Sequence, residues 1–224
     1  MCGISGILDW SKPLVQETLQ NMIQRLVHRG PDAEGFFMES PIGLAHRRLS
    51  VIDLNEAANQ PLWDGSGNHC IVFNGEIYNF RTLRQDLMAS GSQFHTESDT
   101  EVLLEAYKKW GTNCLERLNG MFAFAIWDRP NRRLFLARDR LGKKPLFYFP
   151  LPEGGLVFAS ELKALLAHPA APRDMDMNAL SQYLSFGYVP GSTCILSGIK
   201  KLPPGHFIIA EKGKFKEPVS YWDL

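Results

Sequence analysis

No apolar run in this 224-residue chain approaches the roughly 18 residues that a membrane-crossing helix needs. The N-terminus lacks a basic region, and Asp9 interrupts its short apolar stretch, so no secretory signal is expected. Cysteine is sparse. The four present (Cys2, Cys70, Cys114, Cys194) are far apart and form no Cys-x-x-Cys pair, which argues against a zinc site and against a disulfide framework. The expected compartment is therefore the cytoplasm, where thiols stay reduced. Net charge is missing as well: 24 Lys and Arg balance 24 Asp and Glu. Neither a nucleic acid nor an anionic membrane is expected as a partner. There is no internal repeat, no low-complexity stretch and no regular βαβ alternation.

What the chain does contain is a mixture of short strands and helices. GISGIL (Gly3 to Leu8) reads as an apolar strand, and Leu19, Met22, Ile23 and Leu26 mark a helix within residues 14–27. HRGPD (His28 to Asp32) ends that helix at Gly30 and Pro31. Strands are predicted at 35–38, 42–48 and 69–75, with a long loop over 53–68. Helices follow at 79–90 and 99–110. GMFAFAIWD (Gly120 to Asp128) reads as a buried strand, with RRLFLARD (Arg132 to Asp139) as its hairpin partner. Strands near 145–149 and 156–159, helices at 161–167 and 178–185, and a final strand complete the pattern. Mixed elements of this kind predict antiparallel sheets covered by helices.

Four features carry chemistry. Cys2 follows the initiator Met1, and removal of Met1 would expose a residue bearing a thiol and an α-amine together. Their reference pKa values, about 8.5 and about 7.7–8, let the amine take the thiol proton near neutral pH and return it to a leaving group. The bland alternative is a small buried residue at the start of a strand. NGEIYN (Asn74 to Asn79) holds an Asn-Gly that is a turn signal on its own. It can also form an oxyanion hole from the Asn74 amide and the Gly75 N–H. In HRRLSVID (His46 to Asp53), Arg48 is either a solvated charge or a bidentate clamp for a carboxylate. In ESDTE (Glu97 to Glu101), Ser98 or Asp99 caps the next helix, or Asp99 holds an ammonium group. Taken together, the functional readings describe a site for an α-amino acid attacked by Cys2. His28 and His46 are not needed as bases in such chemistry.

MCGISGI, HRGPD, HRRLS, NGEIYN, SDTE, GMFAFAIWD and RDRLGKKPL occur in an order and at a spacing that resemble the glutaminase domain of the glutamine-hydrolysing asparagine synthetases. That domain is a class II glutamine amidotransferase of the N-terminal-nucleophile hydrolase type. The resemblance covers essentially the whole chain. It implies an α+β fold, a four-layer αββα sandwich with two antiparallel sheets, in which the first strand places Cys2 at a sheet edge. It implies that Cys2 is the nucleophile and that Asn74 and Gly75 form the oxyanion hole. Arg48, Asn74, Gly75, Glu76 and Asp99 would bind glutamine, with backbone help from Leu49 and Ile52. No metal is implied. The intact Cys2 separates the chain from the related β-lactam-forming synthetases, which are expected to lack it.

The resemblance also implies what lies elsewhere. The amidotransferase domain is expected over residues 2–210, and 211–224 as the start of a linker to a C-terminal ATP-dependent synthetase domain. No Ser-Gly-Gly-type phosphate loop occurs here, so this domain is expected to use no cofactor, with ATP and Mg²⁺ confined to the synthetase domain. Homodimerisation is an expectation for the full-length enzyme only. HRGPD and Arg138-Asp139 read as turn and loop anchors. Relatives often carry an apolar residue for one lysine of GKKPL; Lys143 and Lys144 read as surface lysines, with a position facing the synthetase domain as the alternative. Two alternatives remain: an amidotransferase half serving another acceptor, and a regulatory domain that binds glutamine without turnover.

Overall fold

A computed structural model describes residues 1–211 and 213–223. Its elements run β1 (Gly3–Leu8), α1 (Gln16–Gln24), β2 (Ala33–Glu39), β3 (Ile42–Arg48), β4 (Leu62–Trp63), β5 (His69–Ile77), α2 (Phe80–Ala89), α3 (Asp99–Trp110), α4 (Cys114–Arg117), β6 (Gly120–Asp128) and β7 (Arg133–Arg138). They continue with β8 (Phe147–Pro150), β9 (Leu156–Ala159), α5 (Leu162–Leu165), α6 (Met177–Phe186), β10 (Lys200–Lys201), β11 (His206–Glu211), β12 (Lys214–Phe215) and β13 (Val219–Ser220). The segment expected as a linker, 211–224, contains β12 and β13. Its residues Lys212 and Leu224 lie outside the described residues.

The strands form two sheets, ordered β10-β8-β9-β1-β3-β2 and β12-β11-β7-β6-β5-β4, with β13 also on β11. Every strand pairing is antiparallel. Strand pleating sorts the apolar residues into three cores, because successive side chains leave opposite faces. Ile4 and Leu8 of β1 and Ile42 and Leu44 of β3 meet Val72 of β5 and Ala123, Ala125 and Trp127 of β6 between the sheets. The alternate residues of β5 and β6, among them Ile71, Phe124 and Ile126, pack outward on Leu83, Val102 and Leu115 of α2, α3 and α4. Ile7 and Val157 pack the other way, against Leu19, Ile23 and Leu165 of α1 and α5. Three stacked cores give four layers: helices, sheet, sheet, helices.

The ring of Phe158 lies between the sheets and covers Gly6, where a Cβ would come within 2.4 Å of it. Phe158→Ala is expected to cost about 3–5 kcal/mol, read from the urea midpoint. A loss below about 1 kcal/mol would mean that the sheets close over the gap.

The expected edge position of Cys2 is corrected by the strand order. β1 lies between β9 and β3, so Cys2 sits at the end of an interior strand and not at a lateral edge. The difference has a physical cause. A run that is buried throughout, as β1 is, needs neighbours on both sides to pair its backbone groups.

Candidate active site

The register of β1 on β3 starts the site. Gly3 pairs with Arg47, so Cys2 and Arg48 stand side by side at the next step along the two strands. Ile4 and Leu8, and Ile42 and Leu44, face between the sheets. Cys2 and Arg48 have the same parity as these residues and therefore face the same way. Asn74 shares the parity of Cys70 and Val72 on β5 and faces them from the opposite sheet. An open cavity lies where the sheets part, lined by Cys2, Arg48, Leu49, Ile52, Asn74, Gly75, Glu76 and Asp99 among others. These are the residues that the resemblance implies for catalysis and for glutamine binding.

The Cys2 thiol is bracketed by Leu49. It lies 3.7 Å from the Leu49 carbonyl oxygen and 3.5 Å from the Leu49 nitrogen, whose N–H points to the sulfur. Burial pushes the thiol above its ordinary range. The Leu49 N–H, the N-terminal ammonium and Arg48 oppose that rise, and Asp99 adds to it. A thiol held up in this way needs a base before it can attack. The chain end is fixed by Arg29 of HRGPD. Arg29 Nε donates to the Cys2 carbonyl oxygen at 2.8 Å, and Nη1 donates to Glu161 at 2.7 Å. Gly30 lets this loop lie on β3, since a Cβ there would stand 2.4 Å from the Arg47 carbonyl carbon. The anchoring role read for HRGPD is thus played on the backbone of Cys2 itself.

On β5 the backbone next to Asn74 is tied at both ends. Gln60 Oε1 accepts the Phe73 N–H at 2.6 Å. His46 Nε2 lies 3.1 Å from the Phe73 carbonyl oxygen. A carbonyl can only accept, so His46 carries its proton on Nε2. Full burial holds His46 down at about 3, and the imidazole is neutral. Two residues beyond Gly75, the Ile77 N–H donates to Asp99 Oδ2 at 2.9 Å. Amide N–H groups alternate along a strand. The Gly75 N–H therefore points to the same open edge as those of Phe73 and Ile77, into the cavity. A Cβ on Gly75 would stand 2.3 Å from the Met121 carbonyl oxygen, so glycine is required by the approach of β6. The Asn74 side-chain oxygen and nitrogen are both buried without a partner among the described residues. A buried amide left unpaired costs about 1–3 kcal/mol, a cost that a ligand's polar atoms can offset.

Arg48 first organises its own loop. Nη1 donates to the Asn55 carbonyl at 2.9 Å and to Asn59 Oδ1 at 2.7 Å, and Nη2 donates to the Asp53 carbonyl. Its Nε–H and second Nη2 N–H carry no bond among the described residues, which leaves one edge of the fork for a carboxylate. Ser98 and not Asp99 is the helix cap: its hydroxyl accepts the Glu101 N–H at 3.2 Å, and Glu101 reaches back to the Thr96 N–H at 2.7 Å. The cap leaves Asp99 free for the cavity. Burial raises its carboxyl to about 6, with Glu76 adding to the rise and the Ile77 N–H opposing it.

Among the lining residues that were not anticipated, Gln60 and Lys144 bear most on the site. Gln60, from the stretch read as a loop, supports β5 beside Asn74. Lys144 overturns the surface reading of GKKPL. Lys143 is exposed, but Lys144 is 4% exposed and lines the cavity. Asp139 causes this by accepting the N–H groups of Lys143, Lys144 and Phe122 at 2.8, 2.9 and 3.1 Å, which folds the turn inward. Arg138 ties the same turn through the Lys144 and Gly142 carbonyls, both at 2.7 Å. Its partners were legible as loop anchors; the direction of the turn was not. His28 is exposed, 3.1 Å from Glu161, and no histidine is among the described residues that line the cavity.

Among known proteins, the family model described as "Glutamine amidotransferase domain" matches residues 1–222. The chain is 44% identical over 220 residues to "Asparagine synthetase [glutamine-hydrolyzing] 3" of Bacillus subtilis, covering 95% of this chain and 35% of that protein. It is 35% identical over 237 residues to "Amidase chry2" of Gibberella zeae, covering 100% of this chain and 34% of that protein. The chain thus spans about a third of the length of these relatives. Its fold is similar to that of the glutamine phosphoribosylpyrophosphate amidotransferase of B. subtilis, with a TM-score of 0.71 at 21% identity, over 100% of this chain and 50% of the other. No helix among the described residues is long and apolar enough to cross a membrane. With the family model matched over nearly its whole length, this chain belongs to the glutamine amidotransferase domain family.

Proposed function

We propose that this chain hydrolyses L-glutamine to glutamate and ammonia through a Cys2 thioester. The observation that carries the reading is the convergence of Cys2, Arg48, Asn74, Gly75 and Asp99 on one cavity. Once Met1 is removed, the α-amine of Cys2 takes the thiol proton and the sulfur attacks the side-chain amide carbon. The oxyanion rests on the Asn74 amide and the Gly75 N–H. The proton passes to the amide nitrogen, which leaves as ammonia, and water then cleaves the thioester to glutamate and regenerates the thiol. Arg48 holds the α-carboxylate and Asp99 the α-ammonium, with Glu76 and the Leu49 and Ile52 backbone completing the substrate site. The test is ammonia release from glutamine by protein whose N-terminus is checked by mass spectrometry. Binding without release from processed protein would favour a glutamine-sensing domain instead.

The similarity to asparagine synthetases supports a further step, in which the ammonia serves asparagine synthesis in a C-terminal ATP-dependent domain that also uses Mg²⁺. This domain itself would need no cofactor. A match that covers 100% of this chain is to a protein named as an amidase and not as a synthetase, so an amidotransferase half serving another acceptor stands as the alternative. Ammonia transfer to aspartate by the complete protein decides between them.

Asp99 makes glutamine binding pH-dependent. Its raised value, about 6 against an ordinary 3.8, means that the empty site favours the protonated form. The stability gained from that protonation is full below 3.8 and is lost as pH rises through about 6. Binding has the opposite sign, because the substrate ammonium stays charged and needs ionised Asp99. In Cys2→Ala protein, the Kd for glutamine is expected to rise toward about tenfold per pH unit below the Asp99 midpoint. Asp99→Asn should bind weakly and without that slope. Affinity that stays flat through the midpoint would remove Asp99 from the ammonium site.

A further inference from the structure

β5 has one side left uncovered where it carries Asn74 and Gly75. On one side β6 runs beside it from His69 to Ile77. On the other, β4 pairs only with Cys70 and Ile71, and no described strand continues past that point. Side chains take the place of the missing strand. Asp99 accepts the Ile77 N–H at 2.9 Å, and Gln60 Oε1 accepts the Phe73 N–H at 2.6 Å. The Gly75 N–H lies between these two. Gln60 also reaches across to a helix. Its Nε2 donates to Thr100 Oγ1 at 3.1 Å, in the first turn of α3 and next to Asp99. The amide has one orientation here, because the Phe73 N–H can only donate and must meet the oxygen. Gln60, Phe73 and Thr100 are all buried, so little water can stand in for the amide. The Gln60 backbone is confined as well, since a Cβ on Gly35 of β2 would overlap its carbonyl oxygen.

We propose that Gln60 is a positioning residue for glutamine hydrolysis: anchored on Thr100, it holds β5 where a strand would, and so aims the Asn74 amide and the Gly75 N–H at the oxyanion. The proposal rests on the glutaminase reading and on Asn74 and Gly75 as the oxyanion donors. Such donors act only when they are aimed at the place where charge develops, and a misplacement of about 1 Å can cost roughly a hundredfold in rate. Substrate binding depends on other supports. Arg48 is held by Asn55, Asn59 and Asp53, and the start of the helix that carries Asp99 is capped by Ser98. Loss of the Gln60 bridge therefore falls on the chemical step and spares the affinity for glutamine.

The experiment uses processed protein, comparing wild type with Gln60→Met, Thr100→Val and the double variant. Methionine keeps the length of Gln60 and makes neither bond; valine keeps the shape of Thr100 and removes only the anchor. Ammonia release gives kcat, and calorimetry gives the glutamine Kd with each substitution placed on Cys2→Ala. Gln60→Met is expected to lower kcat by roughly tenfold to a hundredfold, with Kd within about threefold of wild type. Thr100→Val should lower kcat less, again at unchanged Kd. The double variant should be no slower than Gln60→Met, because the anchor acts only through the amide. The proposal is overturned if Gln60→Met keeps kcat, if Kd weakens as much as kcat falls, or if the two losses multiply in the double variant. Should Gln60→Met fail to fold, Thr100→Val decides alone: an undiminished kcat, or a Kd that weakens with it, overturns the proposal. If processed wild type releases no ammonia, the glutaminase reading fails first and takes this proposal with it.

Discussion

Protein that retains Met1, and processed protein carrying Cys2→Ala, are each expected to release ammonia from glutamine at background rate, a loss of at least roughly ten-thousandfold. The two failures have different causes. Cys2→Ala removes the nucleophile and leaves the binding groups in place, so glutamine should still protect it from thermal unfolding. Retained Met1 leaves the thiol but turns the Cys2 nitrogen into an amide, which has no basic lone pair. The thiol is already held above its ordinary range by burial, and the neutral form is a poor nucleophile. No histidine can substitute, because none of the described residues lining the cavity is a histidine, and burial holds His46 down at about 3, too weak a base for the thiol. Met1 also occupies the space, with its sulfur on Lys144. The measurement is ammonia release from preparations whose N-terminal masses are known. Equal rates with and without Met1 would leave Cys2 as nucleophile but would sink the amine as base.

How much of this was legible in advance depended on the range of the interaction that decides each feature. β6 was legible to the residue, because the seven consecutive apolar residues from Met121 to Trp127, bounded by Gly120 and Asp128, admit little else. The two-residue strands β4, β10, β12 and β13 were not, since they exist only through their pairing with β5, β8 and β11. At the site, residue types pointed to the chemistry of Cys2, Arg48, Asn74 and Asp99, and pleating explains why the first three face one space. Which end of the sandwich opens is set by sheet stacking, which no single stretch encodes. Lys144 is the instructive failure. A lysine in a Gly-Lys-Lys-Pro turn reads as solvated, and only the backbone N–H groups gathered by buried Asp139 turn it inward. Gln60 gave no local signal, because its partner, the Phe73 N–H, belongs to another element.

Asn74→Ala is expected to lower kcat by about 10²–10³, or roughly 2.7–4 kcal/mol of transition-state stabilisation, with a smaller change in KM. The argument turns on timing. The carbonyl oxygen of bound glutamine is a weak acceptor, and it becomes an oxyanion only as sulfur adds, so a donor aimed at it contributes most in the transition state. The surroundings of Asn74 fit the proposed role. The preceding residue is fixed by Gln60 and His46, the Gly75 N–H shares the same edge, and the Asn74 amide has no partner among the described residues. For the same reason the substitution should leave stability unchanged or slightly raised, since it removes an unsatisfied buried group. Asn74→Asp should be no better than alanine for catalysis, because a carboxylate accepts and does not donate. Steady-state kinetics separate the cases: if KM rises and kcat holds, Asn74 binds the ground-state amide and the oxyanion depends on Gly75 alone.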